Sequence, residues 1–257
     1  MYVRPRAKLF ADAINDADRK YYSGLTGTTV HMRNLPHWEQ ETVPVFATFR
    51  LADSMTAALA AKCKDEFADE WTARMQSYLD SGAGECPLAR KECRLAMEQA
   101  LEYFNGARYA LHAYVVMPNH VHVLVSQHEG VALPDVLHSW KSWTANKINT
   151  IRGKTGKVWQ SEYYDTLVRN ADHYARVLAY IKRNATSLGG TVEVVSGNGV
   201  SGTGFQPVSG EKFLNNGQDA RSTHGGGNGQ DARSTHGNGR NACNISGTGF
   251  QPVEKRI

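Results

Sequence analysis

The chain has 257 residues, 41% of them apolar, enough for a sizeable core and for one large domain or a domain with appendages. A formal charge of +4 permits an anionic partner without announcing one. No apolar run approaches the roughly 20 residues of a membrane span, and the charged start "MYVRPRAKLFADAINDADRK" lacks a signal-peptide pattern, so the expected address is the cytoplasm, nucleoid-associated if the source is bacterial. Cys63, Cys86, Cys93 and Cys243 show neither CxxC spacing nor a zinc pattern and are read as reduced thiols.

Residues 1–42 mix charge with "GLTGTT" and "RNLPHW", turn-rich text that predicts an arm packed on the domain. "VPVFATFRL", 43–51, clusters β-branched and aromatic residues and predicts a strand. Apolar spacing through Met55, Leu59, Phe67 and Trp71 predicts a helix capped by Asp53 or Ser54. "LARKECRLAMEQALEYF" predicts a second helix, stopped by Asn105-Gly106. "ALHAYVV" and "HVHVLVS" should pair as an antiparallel hairpin reversed at Met117-Pro118-Asn119, because Pro118 cannot donate to a ladder and Asn119 suits a turn. A helix over "PDVLHSWKSWTANKINTI", a short strand in "VWQSEYYDTLVRN" and a helix over "ADHYARVLAYIKRNATSLGG", ended by Gly189-Gly190, complete the ordered text. The order predicts an α+β fold over residues 43–190, a ferredoxin-like antiparallel sheet with helices on one face. Residues 191–257 are rich in Gly, Asn and Ser and too poor in large apolar residues to bury a core, which predicts a disordered or loosely packed tail.

"MPNHVHVLV", 117–125, sets two histidines one residue apart in an apolar run. Side chains alternate faces along a strand, so His120 and His122 share one face and Val121, Val123 and Val125 the other. Two readings stand: a pair of half-exposed polar positions on an edge strand, or a pair of metal ligands awaiting a third partner. Tyr180 and Asn184, four apart in the last helix, share a face there, although a helical tyrosine commonly serves in packing.

The stretch from about Leu35 to Gly190 resembles the single-tyrosine HUH transposases, specifically the REP-associated tyrosine transposases. The resemblance rests on "LPHW", "TFRLADS", "RYALHAYVVMPNHVHVLV", "SWKSWTANKIN", "VWQSEYYDTLVRN" and "YIKRN", in that order. Where such proteins usually continue Asn-Pro and a basic-Ala-Gly run, this chain has Asn184-Ala185 and "TSLGG". The resemblance implies an HUH fold, His120, His122 and Asn184 as ligands of a divalent metal (Mg2+ or Mn2+), and Tyr180 as the nucleophile. It further implies a metal-dependent endonuclease and transposase acting on single-stranded or hairpin DNA through a 5′-phosphotyrosine, as a monomer or homodimer. Tyr163, Tyr164 and Tyr174 are rival nucleophiles; Tyr174 has Leu178 rather than an amide four residues on.

Lys141, Lys147, Arg152, Lys154, Lys157, Arg169, Lys182 and Arg183 form a candidate phosphate-contacting set, with Trp140, Trp143 and Trp159 as candidate base-stacking surfaces; solvated lysines and core tryptophans are the plainer reading. A histidine-triad hydrolase would want a third alternating histidine where Leu124 stands. A non-catalytic nucleic-acid-binding protein with the same fold is the stronger competitor.

Two peptides recur in the tail: "SGTGFQPV" at 201–208 and 246–253, and "QDARSTHG" at 218–225 and 230–237. "TGFQPV" can be encoded by ACGGGCTTCCAGCCCGT, and "NGQDAR" by a stretch containing ACGGGCAGGACGCCCGT, so two different peptides permit one common DNA stem. Translated palindromic DNA and slippage of a coding repeat both account for such text.

Overall fold

A computed structural model describes residues 3–24, 27–32, 36–55, 79 and 82–195. The elements are β1 (Arg6–Phe10), α1 (Ala11–Ile14), β2 (Thr28–Met32), β3 (Pro36–Gln40), β4 (Val45–Arg50), α2 (Lys91–Tyr103), β5 (Tyr109–Val116), β6 (His120–Gln127), α3 (Leu133–Arg152), β7 (Tyr164–Leu167), α4 (Ala171–Ser187) and β8 (Thr191–Val195). Six strands make one sheet in the order β7-β4-β6-β5-β1-β8, and β2 pairs only β3 among the described residues. Every pairing is antiparallel except β1 with β8. The α+β antiparallel sheet read from the sequence is therefore present.

The hairpin forms as its sequence predicts: β5 and β6 pair with Val116 opposite Val121, and Met117 N–H donates to His120 O at 2.9 Å across Pro118-Asn119. Its position differs from one of the two readings above. The histidine strand β6 lies between β4 and β5, in the middle of the sheet rather than at an edge, and all eight of its residues are buried.

The two faces carry separate cores. Val121, Val123 and Val125 join Phe49, Tyr114, Met97 and Leu101 of α2, and Leu137 and Trp140 of α3. Leu124, Ala113 and Val115 join Tyr174, Val177 and Ile181 of α4. Each fully buried Val or Leu contributes about 1.5–3 kcal/mol by leaving water, so both faces are anchored. The expectation of helices on one face holds for α2 and α3 only; α4 packs on the opposite face, because its own stripe at Tyr174, Val177 and Ile181 is apolar and meets the second face of a sheet that is apolar on both.

The sheet also exceeds the expected bounds of 43 and 190. "RAKLF" in the expected N-terminal arm is β1, whose Ala7 and Leu9 enter the α4-side core while Lys8 turns to the other side and pairs with Glu102 at 2.9 Å. "TVEVV" past Gly190 is β8, in parallel register with β1 from Arg6↔Thr191 to Phe10↔Val195. In "VWQSEYYDTLVRN" only Tyr164–Leu167 is strand. The preceding residues are fixed by other means: Trp159 bridges Leu51, and Lys141 Nζ donates to the carbonyls of Gln160, Ser161 and Glu162 at 3.1–3.3 Å. The helix expected after Ser54 and the repeat tail beyond Val195 lie outside the described residues, as do Cys63 and Cys243; Cys86 and Cys93 are buried. Among the described residues no helix is long and apolar enough to cross a membrane.

Candidate active site

The two elements that carry the candidate residues are short-range consequences of their sequences. β6 begins directly after the Pro118-Asn119 turn, so His120 and His122 occupy its first and third positions and face α4, the side to which Leu124 also points. Helix α4 starts where Asn170 Oδ1 accepts from His173 N–H at 2.8 Å, an N-cap. It stops at Gly189, which adopts φ +67° while Gly189 and Gly190 N–H return to Thr186 O and Ala185 O. Between these ends Tyr180 and Asn184 stand one turn apart. Ala185, where a proline is usual in the family read from the sequence, is buried in the α4-side core, and the helix continues regularly to Ser187.

Three side chains, His120, His122 and Tyr180, meet at the β6–α4 contact, and Asn184 stands one turn further along α4. His120 Nε2 and His122 Nε2 are 3.0 Å apart, and the Tyr180 hydroxyl is 3.4 Å from His122 Nε2. Asn184 Nδ2 donates to Tyr180 O at 3.0 Å, which leaves the amide oxygen as the end not engaged along the helix. Both imidazoles are fully buried, whereas Tyr180 is only half-buried. Burial holds His120 down at about 3, and burial together with neighbouring His120 pushes His122 well below the usual histidine range. Both rings are thus neutral at pH 7 and carry lone pairs fit for a cation.

The donor set fits a small divalent ion. Bonds of about 2.1 Å at right angles separate two ligand atoms by about 3.0 Å, which is the observed spacing of the two Nε2 atoms. Among the described residues no group of three His, Cys, Asp or Glu side chains is placed to hold a metal; the candidate set is two imidazoles and the Asn184 amide.

Other residues on this face escaped the sequence reading. In register Thr48 lies opposite His122 and Arg50 opposite His120. Thr48 Oγ1 is 2.8 Å from His122 Nδ1, Asn119 Oδ1 is 2.7 Å from His120 Nδ1, and the Phe46 ring stacks on His122 at 5.6 Å while meeting Tyr180 edge-on at 5.8 Å. The alternation Phe46, Thr48, Arg50 within "VFATFR" was the available signal. It acquires meaning only once β4 is known to pair with β6.

The rival tyrosines separate by environment. Tyr174 is buried, with its hydroxyl 2.8 Å from His112 Nδ1 and its acidity suppressed by burial. Tyr163 is buried and stacks on His37 at 4.1 Å. Tyr164 pairs with Thr48 in register and so shares the histidine face.

The basic set divides. Arg183 lies over the Tyr180 ring at 5.6 Å, and Lys182 is exposed on the same helix, with Arg169 exposed just before it. Lys141, Lys147 and Arg152 belong to α3 on the opposite face, followed by Lys154 and Lys157. Lys141 is committed to three backbone carbonyls, and Arg152 and Lys154 both pair with Glu85. Lys147 and Lys157 are exposed. Of the tryptophans, Trp140 and Trp159 are core residues that donate to Tyr109 and Thr144 hydroxyls, while Trp143 packs partly buried against the same core.

Comparison with known proteins adds the following. A REP-associated tyrosine transposase bound to a REP hairpin is 17% identical, covering 62% of this chain and 75% of its own, with a TM-score of 0.38. A putative transposase from Deinococcus radiodurans R1 is 16% identical, covering 55% of this chain and 90% of its own, with a TM-score of 0.27. No curated protein sequence matches significantly. The family described as "Transposase IS200 like" matches residues 88–184. The match is to that segment, and it takes in His120, His122, Tyr180 and Asn184.

Proposed function

We propose that the protein is a REP-associated tyrosine transposase that cleaves and rejoins single-stranded DNA beside a hairpin. The observation that carries this reading is the convergence of a half-buried tyrosine hydroxyl on two neutral, buried imidazoles within the transposase-matching segment. Tyr180 Oη attacks the scissile phosphorus; the new P–O bond to tyrosine forms as the P–O3′ bond breaks. The phenolic proton goes to solvent, and the departing 3′ oxygen takes one up. One phosphodiester replaces another of similar energy, so no nucleotide triphosphate is consumed.

His120, His122 and the Asn184 amide would hold a divalent ion, Mg2+ or Mn2+, which supplies positive charge opposite a non-bridging phosphate oxygen. Helix α4 holds the tyrosine at a fixed distance from that set, and Phe46 limits the ring's swing. Arg183 lies beside the Tyr180 ring and suits a phosphate next to the hydroxyl. Incubation with hairpin oligonucleotides and Mn2+, resolved on a denaturing gel, tests the reading: a covalent protein–DNA species and a free 3′-hydroxyl fragment are expected. Hairpin binding without either product would instead identify a non-catalytic binding protein.

A further inference from the structure

The metal reading requires both Nε2 atoms to present lone pairs at once. A neutral imidazole has a single N–H, and the partner of Nδ1 decides which nitrogen carries it. For His120 that partner is Asn119 Oδ1 at 2.7 Å, an amide oxygen that only accepts. The amide is held in this orientation because its nitrogen donates to Ala83 O at 3.0 Å, and Asn119 is entirely buried. His120 is thereby fixed with its proton on Nδ1 and its lone pair on Nε2.

His122 has a different partner. Its Nδ1 lies 2.8 Å from Thr48 Oγ1, a hydroxyl that gives or takes a proton bond by rotation. With the proton on Nδ1, Thr48 accepts and two lone pairs face each other 3.0 Å apart, an arrangement a cation relieves. With the proton on Nε2, His122 donates to His120 Nε2 and Thr48 donates to Nδ1.

We propose that Asn119 and Thr48 are positioning residues of the metal site, Asn119 locking His120 in one tautomer and Thr48 letting His122 exchange between two. The His122-to-His120 hydrogen bond then closes the site in the metal-free protein. On metal uptake the proton given to solvent from His122 Nε2 is matched by one taken at Nδ1, so the ring stays neutral. This inference rests on the metal ligation proposed above.

Long-range 1H–15N correlation spectra of the histidines at pH 7 test it directly. The metal-free protein should show His120 protonated on Nδ1 and His122 on Nε2, with Mg2+ converting His122 to the Nδ1 form and leaving His120 unchanged. Mn2+ titration followed by electron paramagnetic resonance should show Thr48→Val and Asn119→Leu weakened by about 10–100-fold, with Thr48→Ser restoring uptake. His120 protonated on Nε2 in the metal-free protein, or undiminished Mn2+ affinity in Thr48→Val, would overturn the inference. A wild-type protein that takes up neither ion refutes the metal ligation itself, while its histidine tautomers still decide the roles of Asn119 and Thr48.

Discussion

Replacing Tyr180 by phenylalanine separates chemistry from architecture. The change deletes one oxygen and keeps a ring that meets His122 at 5.1 Å and Phe46 at 5.8 Å. A well-formed neutral hydrogen bond contributes about 1 kcal/mol net; the Tyr180 hydroxyl sits 3.4 Å from His122 Nε2 on a half-buried side chain, near the long limit. Its loss should therefore cost less than about 0.5 kcal/mol, or about 2 °C in Tm. Hairpin affinity should stay within about threefold, because tenfold requires about 1.4 kcal/mol. Cleavage and adduct should instead fall by about 10^4 or more, since no neighbouring group replaces a deleted nucleophile. The assay is an end-labelled hairpin with Mn2+ on a denaturing gel, beside thermal melting and filter binding of the same samples. A covalent adduct formed by Tyr180→Phe would refute the assignment, and peptide mapping of that adduct would show whether Tyr164, on the same face, attacks instead.

His120→Ala and His122→Ala should each abolish calorimetrically detected Mn2+ binding together with cleavage; unaltered affinity in both rules out the metal site. Lys141→Ala should lower Tm without changing the salt dependence of DNA binding, because the ammonium is committed to the 160–162 carbonyls. Arg183→Ala should reduce that log–log slope by about 0.7–0.9, the value of one phosphate contact, and an unchanged slope excludes the contact. Burial holds His112 at about 4, so its unfolded form, near 6.5, binds protons first on acidification. Its stabilising effect is complete above pH 6.5 and is lost as pH falls toward 4; His112→Gln should flatten urea-derived stability across that window by about 1.4 kcal/mol per pH unit. In the gene, codons of both tail repeats should preserve the ACGGGC stem, and codons that break it would end the idea of translated palindromic DNA. Truncation after Val195 should keep the melting transition, whereas truncation after Gly190 deletes β8 and should lower it.

Much of this was legible because local period and local punctuation agree. The hairpin follows from apolar runs around Pro118-Asn119, and α4 follows from its stripe and Gly189-Gly190. The face shared by His120 and His122 follows from alternation alone. What covers that face does not, since β6 is buried on both sides and its valines and histidines are equally inaccessible. Thr48 and Phe46 became site residues only through the pairing of β4 with β6, which is tertiary information, whereas Asn119 adjoins His120 in the chain. β1 carries the same alternation, Arg6 and Lys8 against Ala7 and Leu9, but in five residues surrounded by charged and turn-forming text. β8 follows a helix stop that reads as the end of the domain. The basic residues illustrate the converse: composition marked Lys141 and Arg152 as available cations, yet both hold the protein's own carbonyls or carboxylates.

The parallel strand β8 has a consequence for how such a gene can change. The chain leaves the described fold from the outermost strand, three positions across the sheet from β6, at about 4.8 Å per strand. Its last described residue, Val195, is held in register opposite Phe10 of β1. A substitution on the outer side of β8 is therefore separated by two intervening strands, β1 and β5, from the strand that carries His120 and His122.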